Sequence, residues 1–582
     1  MPDSLAPATR TADLTTFTIR VGGEALPGTY RVVSVDITRA VNRIASASLV
    51  LYDGDPATRD FALSSAKLLT PGQVIEIEGG YSSDESLLFK GVIVRQKIKA
   101  KRKSENLLTV ECMDALYRLT VARKSRCFKD LSDRDVFENI VAEYDGLAID
   151  AEDTGEPRAD IVQYQVSDWD FIVSRAEALA KVCITESGVL KIATPDVTQE
   201  PTKAVSFGGG IYRLELEMDG RWQTETVAAA SWDMANQEIL SSQLSDLEIP
   251  AQGNIDGITL AQSVGSETIQ MQHGGVLSQQ ELDGWTRAQL WKSRLARIRG
   301  TIAFQGSRDV NPGELIDLGG LGDRFNGVAY ISGVRHTLGG GDWETSVQIG
   351  LDPRWHYQNF SVNAAPAVGF NPAVNGLHIG VVAQLQDDPS GEERILIRLP
   401  LIDPLSEGIW TRISTLDAGE NRGSVFRPEI GDEVIVGFIN DDPNQAVMLG
   451  MLHSSAKPAP LAASDANHEK GLITRGDMKV VFNDDEVSLT IETPKGNRLV
   501  LSEKDSAVTI TDENNNTITL NPGGISLQSP KDVVIKAKGK VSIEGASINV
   551  KASANLTAEG GTGAEYKSNG NTIVRGSTVQ IN

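Results

Sequence analysis

Residues able to do chemistry are few in this chain, and their spacing argues against catalysis. Three runs of neighbouring acids, Asp387-Asp388, Asp441-Asp442 and Asp484-Asp485-Glu486, supply the residue types of a glycosidase pair or a calcium site. Each lies in a turn or at a strand edge, where Asp is favoured because its carboxylate bonds nearby backbone N–H groups. The six histidines (His273, His336, His356, His378, His453 and His468) are isolated from one another, and none follows Asn483. A histidine-held metal inside the C-terminal stretch is therefore not predicted. Cys112, Cys127 and Cys183 are odd in number and form no CxxC pair, so neither a disulfide framework nor a zinc site is indicated. HExxH, GxSxG and P-loop patterns are lacking. The expectation is a non-enzymatic chain with no catalytic residue, cofactor or metal.

What remains is architecture, and it is organised around residues 487–582. Short bursts alternate apolar with polar residues: Val487, Leu489, Ile491; Leu499, Leu501; Val508, Ile510; Ile518, Leu520; Ile525, Leu527. A period of two is the strand signal. Turn residues separate the bursts, among them Thr493-Pro494-Lys495-Gly496-Asn497 and Asn521-Pro522-Gly523-Gly524. The pattern continues through Val533, Ile535, Val541, Ile543, Ile548 and Val550, which are predicted to form the core of a β-helix. After Asn483 the only aromatic residue is Tyr566. One chain of such strands buries too little to offset its ordering entropy. Several chains wound around one apolar axis can do so, each turn shielding its neighbours' edges. The reading is an intertwined β-helical rod of three chains, preferred over a lone β-sandwich because bulky residues for a two-sheet core are scarce.

The 582 residues imply roughly three to four domains. A net charge of −23 argues against a nucleic-acid binder. The first twenty residues lack the apolar core of a secretory signal, and no run of about 18 apolar residues occurs, so no membrane insertion is expected. The N-terminal third alternates as β-strands around Thr16–Val21, Tyr30–Ile37 and Ala45–Tyr52. A basic run, Lys97, Lys99, Lys101, Arg102 and Lys103, reads as a solvated strand-loop-strand tip rather than a docking patch. Ser132 with Asp135, and Ser167 with Asp170, mark two helix starts. A third helix is predicted over 283–299, its Arg287, Lys292, Arg294, Arg297 and Arg299 face solvated. The cadence of strands before and after these helices implies two related barrels. Linkers rich in Ala and Pro flank a compact β-unit at Gly376–Leu452, with four strands, room for a fifth near Trp410, and the proportions of an OB barrel.

At that unit the residues resemble a known family. Phe426-Arg427-Pro428-Glu429-Ile430-Gly431-Asp432-Glu433-Val434, with Asp388-Pro389, Leu399-Pro400, Trp410 and Phe438, is similar to the OB domain of VgrG-type spike proteins of contractile injection systems. Within the run, Phe426, Pro428, Glu429, Gly431, Asp432 and Glu433 carry the motif in a structural role. Asp168-Trp169-Asp170-Phe171-Ile172 resembles that family's hub helix. The resemblance implies a mainly β homotrimer with phage-hub-like tandem barrels, an OB collar and a triple-stranded β-helix. Its expected modules are a first hub barrel (1–130), a helical insertion (131–190), a second barrel (191–360), a linker (361–375), the OB domain (376–453), a neck (454–478) and the spike (479–582).

The function so implied is a spike at the tip of an inner tube, piercing a target envelope. A PAAR-repeat tip protein would sit on Thr578, Val579, Gln580, Ile581 and Asn582, and the partners would be tube, baseplate and effector cargo. The protein would be assembled in the bacterial cytoplasm and end extracellular or injected into the target. Phrasing around Tyr30–Asn42 and Leu51–Pro56 resembles spikes of extracellular phage-tail-like particles. The alternatives are a type VI secretion spike and a trimeric tailspike or adhesin binding glycans. The 454–478 gap is too short for a lysozyme domain, and with the chain ending where the rod ends no effector extension is expected.

Overall fold

Where apolar residues alternate in the N-terminal part, one face of each strand finds a core. Ser46–Tyr52 buries Ala47, Leu49 and Leu51 and turns the residues between them outward. Strands Val32–Ala40, Val74–Tyr81 and Ser104–Met113 repeat the pattern around Val35, Ile37, Ile75, Ile77, Leu108 and Val110, all completely buried. The computed structural model describes residues 14–102 and 104–581, and falls into two units, 14–374 with 440–443 and 375–439 with 444–581.

In the first unit thirteen strands form one hydrogen-bonded network. Early strands, from Thr15–Val21 to Ser104–Met113, join later ones through Val32–Ala40, which pairs antiparallel with Gly327–Gly339 in the register Ile37 to His336. The later group has its own core of Ile302, Phe304, Ile316, Ile331, Val347 and Ile349. Asp84–Lys101 and Ser104–Met113 form a long hairpin, at whose end Lys97, Lys99, Lys101 and Arg102 are exposed. Lys103 lies outside the described residues.

In chain order two helices lie between the early and the later strands. Asp133–Ala142 starts at a capping box of Ser132 and Asp135 and buries Val136, Phe137, Ile140 and Val141. Asp168–Ala178 starts at Ser167, whose hydroxyl accepts from the Asp170 N–H.

The third helix differs from the sequence expectation: it spans Gln279–Leu295, four residues earlier than 283–299. Ser278 and Glu281 form a capping box that fixes its start. Residues beyond Ala296 leave the helix because strand Ile298–Gln305 pairs with both Ile211–Met218 and Asp342–Ile349. There Gly300, at φ +152°, lies so close to the Glu215 carbonyl that a Cβ would come within 2.0 Å of it.

The basic face is also not solvated. Arg294 and Arg297 are buried, and their guanidinium groups donate to the carbonyls of Thr224, Ser245, Ile255 and Gln252. Lys292, equally buried, pairs with Glu177. Only the arginine fork meets several carbonyls at once, so these side chains stitch loops to the helix. Arg287 alone of the predicted face is exposed.

Among the described residues, no helix is long and apolar enough to cross a membrane.

Candidate functional site

The second unit begins with a closed barrel of His378–Gln384, Ile395–Arg398, Ile409–Ile413, Ala446–Met451 and Glu433–Phe438. The strand expected around Trp410 is Ile409–Ile413. Val382, Ile395, Ile397, Val434, Val436 and Met448 fill the interior.

The Phe426–Val434 run forms the turn leading into the last-closing strand. Pro428 is buried, while Phe426 is 57% exposed and Glu429 also faces out. Gly431 takes φ +86°, the left-handed region glycine allows, and its N–H donates to the Val382 carbonyl. Asp432 accepts from the Glu429 N–H at 2.8 Å and from Lys457 Nζ at 3.0 Å. Partial burial alone would raise the Asp432 carboxyl, but these two donors outweigh it and hold the group below its ordinary value. Glu429 pairs with Arg475 at 2.7 Å, tying this turn to the first hairpin that follows. Glu433 opens the strand, half-buried. Lys457 and Arg475 carry no signal in the sequence, because each sits in a polar stretch that composition marks only as linker or turn.

Beyond the barrel seven five-residue strands, from Glu469–Ile473 to Gly524–Gln528, run as an antiparallel meander. Their register builds two apolar ladders on one face. One runs Phe482, Leu489, Leu501, Val508, Leu520, Ile525; the other runs Val480, Ile491, Leu499, Ile510, Ile518, Leu527. Cross-strand apolar pairs of this kind are the unit of sheet stabilisation, but a single sheet leaves their outer surface in water. Phe482 is 49% exposed, Ile510 46% and Leu527 54%. No described residue after Met448 is buried.

The six predicted rod-core residues, Val533, Ile535, Val541, Ile543, Ile548 and Val550, lie beyond the last assigned strand, each more than half exposed in the single chain. At the end of the chain Thr578, Val579, Gln580 and Ile581 are exposed, and Asn582 lies outside the described residues.

The carboxylate runs occupy the turns expected of them. Asp388 accepts from the N–H groups of Ser390, Glu392 and Arg394 and pairs with the Arg394 guanidinium. Asp484 pairs with Lys470, and Glu486 with Lys504. Among the described residues, no three His, Cys, Asp or Glu side chains are grouped to hold a metal ion. Burial pushes His336 down to about 3 and the Cys112 thiol up to about 12, which fixes both as neutral core groups.

In the first unit the Asp168–Ile172 segment is an anchor. Asp168 is completely buried and accepts from Lys124, Arg126, Tyr144 and Gln163 at 2.5–2.8 Å. Asp170 meets the His356 ring, and Trp169, Phe171 and Ile172 enter the helical core.

Comparison with known proteins gives a family for each part. The model described as the Alg8 N-terminal domain matches residues 11–339. The Type VI secretion system/phage-baseplate injector OB domain matches residues 378–453, and the phage baseplate V C-terminal trimerisation domain matches 488–558. The type VI secretion system spike protein VgrG3 of Vibrio cholerae is 29% identical over 141 residues, 22% of this chain and 13% of that protein. VgrG1c of Pseudomonas aeruginosa is 27% identical over 135 residues, 22% of this chain and 18% of that one. The chain thus spans less than a fifth of the length of these relatives. A tail protein from Neisseria meningitidis aligns in structure with a TM-score of 0.44 and 16% identity, covering 59% of this chain and 98% of that one.

An injector-type OB barrel followed by a baseplate trimerisation segment defines a VgrG-like spike protein. The N-terminal match extends over more than half of the sequence. The chain belongs to the Alg8 N-terminal domain family.

Proposed function

We propose that this chain is the non-enzymatic, homotrimeric spike at the tip of the inner tube of a contractile injection system. The observation that carries the reading is the pair of apolar ladders left open along six of the seven strands. Three copies with these faces turned inward cover one another's ladders, and the strandless segment after residue 528 gains backbone partners from the other two chains. Covering a half-buried Leu or Ile contributes on the order of 1 kcal/mol, and nine of the twelve ladder positions in each chain are Leu or Ile. Interlocked strands resist load because displacing one breaks hydrogen bonds to two others.

In this reading residues 1–130 and 191–360 are hub modules seated on tube and baseplate, with 131–190 as the helical insertion. Residues 376–453 are the collar, and 479–582 are the piercing rod. The blunt end, Thr578 to Asn582, takes a PAAR-type tip protein, with Val579 and Ile581 as the apolar contacts, and effectors travel with that tip. An uncapped end would leave strand edges open. The particle is of the extracellular phage-tail-like type, assembled in the cytoplasm. A type VI secretion spike is the second reading, supported by the type VI spikes among the relatives. A glycan-binding tailspike is disfavoured by the single aromatic residue after Asn483.

Native mass spectrometry of the full chain tests the assembly. Three copies of the 62.6 kDa chain are expected. A folded monomer at micromolar concentration would overturn the spike reading.

A further inference from the structure

A small cleft in the first unit has the chemistry of a carboxylate-binding site. It has a volume of about 100 Å³, somewhat less than the roughly 150 Å³ that accepts a benzene ring. That is room for a carboxylate on a short hydrocarbon stem.

Its floor is electrically closed. Lys292 Nζ pairs with Glu177 and donates to the Arg354 carbonyl at 2.9 Å, while the other Glu177 oxygen accepts from the His356 N–H at 2.7 Å. Trp291 and Leu351, both at least nine-tenths buried, form apolar walls. Two further cations line the cleft, and both are engaged: Arg354 holds Asp352, and Lys181 holds Glu152.

Arg43 is different. Its guanidinium lies 4.3 Å from the centroid of the Phe360 ring, and among the described residues no carboxylate or carbonyl is bonded to it. Beside it Asn42, held at φ +58°, exchanges bonds with Cys183 through its backbone N–H and side-chain oxygen. Among the described residues no acceptor is bonded to the Asn42 amide N–H₂. In a chain of net charge −23, the cleft therefore presents one uncompensated guanidinium, oriented by an aromatic ring, and one amide donor over an apolar wall.

We infer that this cleft binds a single carboxylate with a two- or three-carbon stem, paired to the Arg43 guanidinium, with its stem against Trp291 and Leu351. The group is either a free short-chain carboxylic acid or the side chain of a glutamate on another polypeptide. A cationic ligand is opposed, because both lining carboxylates are already paired.

Calorimetric titration of the full chain with propionate, and with acetyl-Ala-Glu-Ala-amide, separates the two sources. Propionamide and the Gln peptide serve as neutral controls. Saturable binding of an acid probe, with no binding of its neutral control, is expected. Arg43→Gln should weaken it about tenfold or more, the loss of a charge-assisted pair. Peptide binding without propionate binding assigns the cleft to a polypeptide glutamate; the reverse assigns it to a free acid. No saturable binding of either probe, or undiminished binding in Arg43→Gln, would overturn the inference. Arg43 is exposed and, among the described residues, forms no ion pair, so its replacement should leave the fold intact, which circular dichroism checks.

Discussion

The two ends of this chain solve the same burial problem in opposite ways. In the first unit Leu49, Leu51, Ile75, Ile77, Leu108 and Val110 are completely buried by their own chain. In the second, the ladder from Phe482 to Ile525 is as regular and as apolar, yet Phe482, Leu501 and Leu520 remain 39–49% exposed. Alternation alone thus builds a strand; what decides stability is whether a second layer comes from within the chain or from other copies. The first unit covers its strand faces from within the chain, whereas the ladders of the second stay part-exposed in a single chain.

The sharpest way to break this comparison is to place a charge in each region. Ile510→Asp puts a carboxylate at a position 46% exposed in one chain. A monomeric rod would tolerate it at a cost near 1 kcal/mol. In a threefold core it would place three carboxylates around one axis, each unpaired and desolvated. The expected outcome is loss of the trimer, read by light scattering as a fall from three chains to one, with the first unit still folded. Leu49→Asp should do the reverse and abolish the N-terminal unfolding transition. A trimer that survives Ile510→Asp would refute the inward-facing ladders.

The second test stays inside the self-sufficient unit. Asp168 gathers Lys124, Arg126, Tyr144 and Gln163 around a carboxylate with no exposure. Burial raises its pKa, and the four donors more than reverse that, so the folded value lies below the unfolded one near 4. A carboxyl with a depressed folded pKa contributes stability that is complete above the unfolded value and is lost as pH falls through the folded one. Stability of the N-terminal transition should therefore be flat at neutral pH and decline below about pH 4. Asp168→Ala leaves two cations facing a vacated buried site and should cost about 3–5 kcal/mol at pH 7. It should also make the acid decline shallower. Chemical denaturation at pH 3–7 reads both effects, and an unchanged acid slope in the variant would exclude Asp168 as its source.

How much of this could be read in advance follows the same division. Residue spacing located the strand runs, the Ser132 and Ser167 helix starts and the OB barrel, because caps and alternation are local signals. The third helix was misplaced over 283–299 because Trp291, Leu295 and Ile298 keep helical spacing. Pairing of Ile298–Gln305 with two strands distant in sequence removes the last turn, and no local signal carries that. The buried roles of Arg294 and Arg297 were invisible for a related reason: their acceptors are backbone carbonyls of Thr224, Ser245, Gln252 and Ile255. A carbonyl has no letter in the sequence. The cleft beside Arg43 was equally hidden, since its walls come from five separated segments.

The smallest expected effect lies at the join between barrel and rod. Between Leu452 and Glu469 the chain has almost no buried surface. Lys457 holds it to the barrel, donating to the Gly431 carbonyl at 2.6 Å and to Asp432 at 3.0 Å. Lys457 is 51% exposed and Asp432 30%, so water can replace either bond. Lys457→Ala should therefore change barrel stability by only about 0.2–1 kcal/mol. Its consequence should appear in the linker, where the freed segment opens without unfolding its neighbours. Limited proteolysis between residues 453 and 468 should accelerate while the barrel's melting point barely moves. A melting point lowered as far as by Asp168→Ala would mean that this contact belongs to a cooperative core, and that the boundary between self-buried and partner-buried structure lies further along the chain.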